Sequence, residues 1–255
     1  MRYHLISNDT DQREHWVNTL RDQGFDIVDE YDSNAIIVTL GGDGTVLYAA
    51  RTFSDPTILP VRTGGSKGYK TRIESSQLVG TLENLEASDK ATYPCTTYRK
   101  IAAYQDGVQL QGGFDALNEI SIHHSTPTLA TVLSLQIREQ NGHHQFERIT
   151  GDGVVVSTSF GSTGYYRSIT GGSFSCGLGI AFNNVHGPVE TPAYLVVSAD
   201  AVVEIQLAET RHASGAVITR DNVETMYELR VGESVEIRQS DESVEILDPN
   251  AVDNR

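Results

Sequence analysis

The sequence predicts an α/β N-terminal domain, built on a small doubly wound parallel sheet, followed by a β-rich C-terminal domain of layered-sheet or sandwich type. Three observations carry that expectation. Residues 1–90 alternate between strand and helix patterns, the rhythm of βαβ units. Ala35-Ile-Ile-Val-Thr-Leu40 is a nearly unbroken apolar run, as in a strand buried on both faces of a parallel sheet. After about residue 90 the chain changes to short β-rich segments punctuated by turn residues, the spacing of antiparallel layers.

Tyr3–Ser7 is the first expected strand. Asp9 or Thr10 caps a helix with Trp16, Val17 and Leu20 on one face, which stops before Gly24. Phe25–Val28 is a short strand, Ala35–Leu40 the buried one, Val46–Phe53 a helix and Ile58–Val61 the next strand. The β-rich segments are Tyr98–Tyr104, Gly113–His123, Thr131–Arg138, Gly153–Thr158, Tyr194–Ser198 and Val202–Leu207. Ser234–Arg238 and Ser243–Leu247 read as a closing hairpin. The expected divisions are therefore residues 1–90, 91–225 and a tail, 226–255, that packs back on the body.

Charge narrows the function classes. The 255 residues hold 19 Lys+Arg against 34 Asp+Glu, a net −15, spread without a long block of one sign. Such a field repels phosphate backbones at long range, which argues against a duplex nucleic-acid binder. Only Lys67, Lys70, Lys90 and Lys100 are lysines; the other basic residues are arginines. Few lysines and many carboxylates suggest adaptation to very high salt, where a Debye length of ~3 Å at 1 M screens self-repulsion. The alternative is an ordinary acidic cytosolic protein. No apolar run approaches the ~20 residues that cross a bilayer, and MRYHLISND lacks signal-peptide architecture. Cys95 and Cys176 match no metal or redox spacing, so the expectation is a cytoplasmic protein with two free thiols.

Gly41-Gly42-Asp43-Gly44-Thr45 stands directly between the buried strand and a helix. Glycines there let a phosphate approach main-chain N–H groups, and the helix adds its positive N-terminus. Asp43 would then act as a base for an incoming hydroxyl or organise Mg²⁺. A tight glycine turn with an Asp cap is the plainer reading of the same residues. At Asn118-Glu119 an amide and a carboxylate together suit vicinal ribose hydroxyls, though such a dipeptide is also common on exposed turns. Gly151-Asp152-Gly153-Val-Val-Val-Ser157-Thr158 leads into Ser159-Phe160-Gly161-Ser162-Thr163-Gly164-Tyr165, an apolar strand followed by a hydroxyl-rich loop that ends on an aromatic. Such a loop offers polar groups and a ring to a flat ligand. Arg62, Lys67, Lys70 and Arg72 form a basic cluster suited to anionic phosphates. His123-His124 and His143-His144 read as structural or surface residues, since adjacent strand residues point to opposite faces. No metal site is expected from the protein alone.

In the order of GGDGT, Ala116-Leu117-Asn118-Glu119, GDGVVVST and GSTGY, the chain resembles the NAD kinase family across roughly residues 35 to 210. Phosphofructokinases and the kinases of diacylglycerol or sphingosine carry relatives of GGDGT, so the later blocks favour NAD kinase. The resemblance implies that Asp43 is the catalytic aspartate, and that Gly41, Gly42, Gly44, Thr45 and Lys67 serve the phosphoryl donor. It implies that Asn118 and Glu119 bind the NAD ribose, and that Asp152 contacts the nicotinamide end, from its own or a neighbouring subunit. Thr163, Gly164 and Tyr165 would line the dinucleotide pocket. It further implies NAD as substrate, ATP or polyphosphate as donor, a divalent cation such as Mg²⁺ carried with ATP, and a homo-oligomer, dimeric or tetrameric. The chain departs from the family at Arg62–Tyr69, at Ser159-Phe160, at Gly164, at Ser173 and at Asp221-Asn222-Val223, and it lacks the usual C-terminal helix. Two other readings remain open: a kinase of the same superfamily acting on a lipid or another nucleotide, and a non-catalytic nucleotide-binding regulator.

Overall fold

The computed structural model describes residues 1–64, 68–88, 94–188, 190–209 and 214–248. Contacts divide the chain into two units, Met1–Tyr98 together with the stretch from Glu242, and Arg99–Asp241. The chain passes between them within two strands, so the division falls at Tyr98 and Asp241.

The first unit contains β1 (Arg2–Ser7), α1 (Thr10–Asp22), β2 (Asp26–Ile27), β3 (Ile36–Gly41), α2 (Asp43–Thr52), β4 (Thr57–Arg62), β5 (Ile73–Glu74) and α3 (Leu78–Ala87). β2, β1, β3, β4 and β5 pair in parallel in that spatial order, the expected βαβ sheet. Asp9 caps α1 by accepting the Gln12 N–H at 3.0 Å. Tyr3, Leu5, Ile36, Val38 and Leu40 from the sheet pack with Val17 and Leu20 of α1 and with Leu78, Leu82 and Leu85 of α3. α3 was not foreseen, although its three leucines keep helical spacing.

The second unit runs β6 (Cys95–Gln105), β7 (Val108–Gln109), β8 (Asp115–Ala116), β9 (Glu119–His124), β10 (Thr131–Glu139), β11 (Gly142–Gly151), β12 (Gly153–Thr158), α4 (Tyr165–Thr170), β13 (Leu178–Asn183), β14 (Tyr194–Val197), β15 (Val202–Leu207), β16 (Ala216–Arg220), β17 (Tyr227–Leu229) and β18 (Ser234–Leu247). One antiparallel sheet has the order β14-β13-β12-β9-β16-β17. A second layer pairs β11, β10, β15 and the first residues of β18. Ile120, Ile122, Val154, Val156 and Ile180 from the first layer pack with Leu133, Leu135, Ile137, Val203, Ile205 and Ile237 from the second. This is the layered architecture expected of the β-rich part.

Three expectations are corrected. Ser234–Arg238 and Ser243–Leu247 belong to one strand, β18, and not to a hairpin. The intervening Gln239-Ser-Asp-Glu242 holds no glycine, proline or Asn-Gly pair to make a two-residue turn. The expected strand Gly113–His123 is interrupted, with β8 and β9 separated by Leu117-Asn118. The helix expected at Val46 begins at Asp43, because Gly42 takes the extended N-cap conformation and α2 starts at the next residue. Both cysteines are free and exposed, and among the described residues no helix is long and apolar enough to cross a membrane.

Candidate active site

Two constellations hold the residues singled out by sequence, one in each unit. In the first unit, β3 delivers Gly41 to the N-terminus of α2, whose first turn carries Asp43, Gly44 and Thr45. Val46, Ala49 and Ala50 bury the inner face of that helix. The helix start is thus fixed by packing, while its uncapped N–H groups and positive end face the Gly42–Asp43 corner.

Asp43 is held by the segment after β4. Its Oδ2 accepts the Tyr69 N–H and its Oδ1 the Lys70 N–H, both at 3.0 Å. This approach needs a glycine at position 68, since a Cβ there would overlap the Asp43 carboxylate. Arg62 braces the same turn, donating from Nη2 to the Gly68 carbonyl at 2.7 Å while Nη1 lies 3.3 Å from Glu74. Arg72 pairs with Asp248 at 3.1 Å. Of the expected basic cluster, then, Arg62 and Arg72 are committed to carboxylates, and Lys70 is the member that sits with Asp43. Burial lowers the Lys70 ammonium to about 8, with Asp43 pulling it upward and Arg72 adding to the lowering. Lys67 lies outside the described residues.

The second constellation is built where β9 begins. Asn118 is fixed through its backbone: its carbonyl accepts the Thr158 N–H at 2.9 Å and the Ser157 hydroxyl at 3.3 Å. Gly161 comes close enough to that carbonyl that any Cβ would overlap it, which explains a small residue in the GSTGY loop. The Gly161 N–H in turn donates to Thr158 Oγ1 at 3.1 Å. With the main chain satisfied, the Asn118 amide and the Glu119 carboxyl are not drawn into backbone bonding, the first half-buried and the second buried. Glu119 is only 8% exposed, and its Oε2 has no hydrogen-bond partner among the described residues. Burial pushes the Glu119 carboxyl up to about 8, and the nearby Asp221 charge adds to the shift. Near neutrality it is a neutral acid, able both to donate and to accept, which suits a ribose hydroxyl.

The loop residues gather at this point. A Cβ on Gly164 would lie 3.9 Å from both Asn118 Nδ2 and Glu119 Oε2, so the loop backbone adjoins the pair. Thr163 ends the short turn before it, and Tyr165 opens α4. The Tyr165 hydroxyl accepts from Asn183 Nδ2 at 3.1 Å, and its ring lies 5.7 Å from that of His123. Burial raises the Tyr165 phenol, and the charges of Asp152 and Glu119 act in the same direction. Asp152 accepts from Asn184 Nδ2 at 3.1 Å and lies 3.6 Å from His124 Nδ1. Asn118, Glu119, Asp152, Gly164 and Tyr165 therefore form one cluster.

Sequence reasoning missed several members. His123 and His124, read as structural or surface residues, border this cluster, and burial lowers the His123 imidazole. Their position at the end of β9, one and two residues beyond its buried Glu119–Ile122 run, was the available signal. His143 and His144 lie on β11, where His144 approaches Glu139 at 3.4 Å, in keeping with their surface reading. Asn183 and Asn184 carried no signal. Gly68 and Tyr69 act through their own backbone, and Asp221 through a carboxylate that binds other residues' backbone N–H groups, which side-chain motifs do not reveal. Among the described residues no group of three His, Cys, Asp or Glu is arranged around a metal ion. A lone carboxylate could give a divalent cation one protein ligand, and such a cation would keep most of its water.

Comparison with known proteins gives consistent relationships. Residues 5–90 match the family model described as the ATP-NAD kinase N-terminal domain. The chain is 30% identical over 173 residues to NAD kinase 2 of Bacillus licheniformis, covering 66% of this chain and 61% of that one, less than two thirds of the relative. It is 27% identical over 244 residues to the NAD kinase of Limosilactobacillus reuteri, covering 89% and 84% of the two chains. The solved structure of yeast NADH kinase complexed with NADH matches with a TM-score of 0.80 at 16% identity, over 100% of this chain and 85% of that one, a likeness of fold.

Proposed function

Because the chain belongs to the NAD kinase family, we propose that it transfers the terminal phosphoryl group of ATP to the 2′-hydroxyl of the adenosine ribose of NAD, giving NADP. The observation that carries this reading is that one chain holds both a braced Asp43 carboxylate and a buried Glu119 carboxyl beside Asn118.

Phosphoryl transfer passes through a loose, charge-rich transition state, so positioning and electrostatics supply most of the catalysis. Asn118 and Glu119 orient the ribose hydroxyls. Asp43 accepts the 2′-hydroxyl proton as the oxygen attacks; the Tyr69 and Lys70 N–H groups hold its carboxylate in one orientation and still leave it lone pairs. Lys70 and the N-terminus of α2 offset the negative charge of the transferred group. Mg²⁺ enters as part of the donor substrate and neutralises its phosphates. Tyr165, against His123 and Asn183, offers an aromatic face to the dinucleotide.

Inorganic polyphosphate is a second candidate donor, and NADH a second candidate acceptor, as in the fold relative complexed with NADH. The test is an acceptor and donor matrix in molar KCl with Mg²⁺: NAD, NADH and a diacylglycerol dispersion, each with ATP and with polyphosphate. NADP formed from NAD supports the proposal. Phosphorylated lipid without NADP favours the lipid-kinase reading, and NAD binding without turnover the regulator.

A further inference from the structure

We propose that Asp221, together with Arg220, is a positioning residue for the bound ribose, clamping Gly113–Glu119 so that Asn118 and Glu119 are preset before NAD arrives. The proposal rests on the NAD reading above. Three consecutive main-chain N–H groups converge on the Asp221 carboxylate: Leu117 on Oδ2 at 3.1 Å, and Asn118 and Glu119 on Oδ1 at 2.8 and 3.2 Å. The bond is returned, since the Asp221 N–H donates to the Glu119 carbonyl at 3.0 Å. Asp221 takes a left-handed conformation, φ 42°, which an Asp tolerates better than most residues and which turns its carboxylate back toward β9.

The neighbouring residue grips the other end of the same segment. Arg220 Nη1 donates to the carbonyls of Gly113 and, at 2.9 Å, of Asp115. Its guanidinium lies 5.0 Å over the Phe114 ring. Successive N–H groups that point to one spot form an anion nest. Here the protein fills the nest with its own carboxylate, and this interrupts the strand between β8 and β9. Fixing the N–H vectors of residues 118 and 119 fixes their Cα–Cβ directions. The ribose-binding side chains are therefore aimed by a residue that itself touches no ligand.

The experiment compares wild type, Asp221→Asn and Asp221→Ala by NAD calorimetry, ATP calorimetry and steady-state kinetics in molar KCl. The expected result is a Kd and KM for NAD raised about tenfold or more in Asp221→Ala, on the scale of losing charge-assisted positioning bonds, and less in Asp221→Asn. The Kd for ATP, and kcat at saturating NAD, should stay within about threefold. A folded Asp221→Ala with unchanged NAD affinity, or with equal losses for NAD and ATP, overturns the proposal. Should neither variant fold, amide exchange on the wild type decides: the Leu117, Asn118 and Glu119 amides are expected to be protected without NAD. Protection that appears only with NAD overturns presetting. A wild type that binds NAD but makes no NADP refutes the kinase reading alone and leaves these arms intact.

Discussion

Replacing Glu119 by Gln tests whether its buried carboxyl is held as a neutral acid. Burial, helped by Asp221, raises its pKa from 4.5 to about 8. Between those values the unfolded chain has released a proton that the folded chain retains, so native stability falls as pH rises. The contribution is complete below about pH 4.5 and is gone once pH passes about 8. At 1.36 kcal/mol per unit this interval corresponds to about 5 kcal/mol, for a side chain almost out of water. Gln cannot titrate. Between pH 5 and pH 9, Glu119→Gln should therefore gain on wild type by about 4 kcal/mol, or on the order of 10 °C in melting temperature for a chain of this size. Thermal unfolding at fixed molar KCl across that range reads it directly. The amide also mimics the neutral acid, so NAD affinity at pH 7 should change little while its decline above pH 8 disappears. Parallel stability curves for the two proteins would refute the reasoning, because Glu119 would then titrate alike in both states.

Lys70 loses its positive charge as pH rises through about 8. At saturating NAD, kcat/KM for ATP should then fall by about tenfold per unit at higher pH, a fall that Lys70→Arg abolishes because the guanidinium stays protonated. A wild-type profile flat to pH 9.5 contradicts that role. Gly68→Ala forces a methyl group into the Asp43 carboxylate. It should lower kcat by about tenfold or more through lost orientation, with NAD affinity unchanged by calorimetry; unaltered kcat would show that the Tyr69–Lys70 contacts do not matter. The excess of 34 acidic over 19 basic residues predicts a melting temperature that rises by roughly 10 °C or more between 0.1 and 3 M KCl. A melting temperature indifferent to salt would count against adaptation to high salt.

Local patterns made the α/β sheet and the glycine turn between β3 and α2 legible. The apolar run Ala35–Leu40 and the glycines after it specify a buried strand that ends in a turn, and the structure has both. Asn118-Glu119 and the Gly164-Tyr165 loop stand out in the sequence, and the structure brings Gly164 beside the Asn118–Glu119 pair. What escaped notice depends on contacts distant in sequence. Asp221 stands out in the sequence only within a segment that departs from the family pattern; its contacts appear only when residues 117–119, over a hundred positions earlier, turn their N–H groups toward it. The expected hairpin at 234–247 spans a polar stretch, Gln239–Glu242. The backbone carries it as one strand, because residues on either side keep burying apolar side chains. The basic cluster at 62–72 was visible as charge, but charge alone does not reveal which guanidinium is already paired with Glu74 or Asp248.

The most direct measurement follows ATP labelled in its terminal phosphate, with NAD and Mg²⁺ in molar KCl, for wild type and Asp43→Asn. The account predicts label in the 2′-phosphate of NADP, a rate lowered by about 10²-fold or more in Asp43→Asn, and Kd values for NAD and ATP that are nearly unchanged. Full transfer by a folded Asp43→Asn protein, or label that never enters NADP with the wild type, would contradict it.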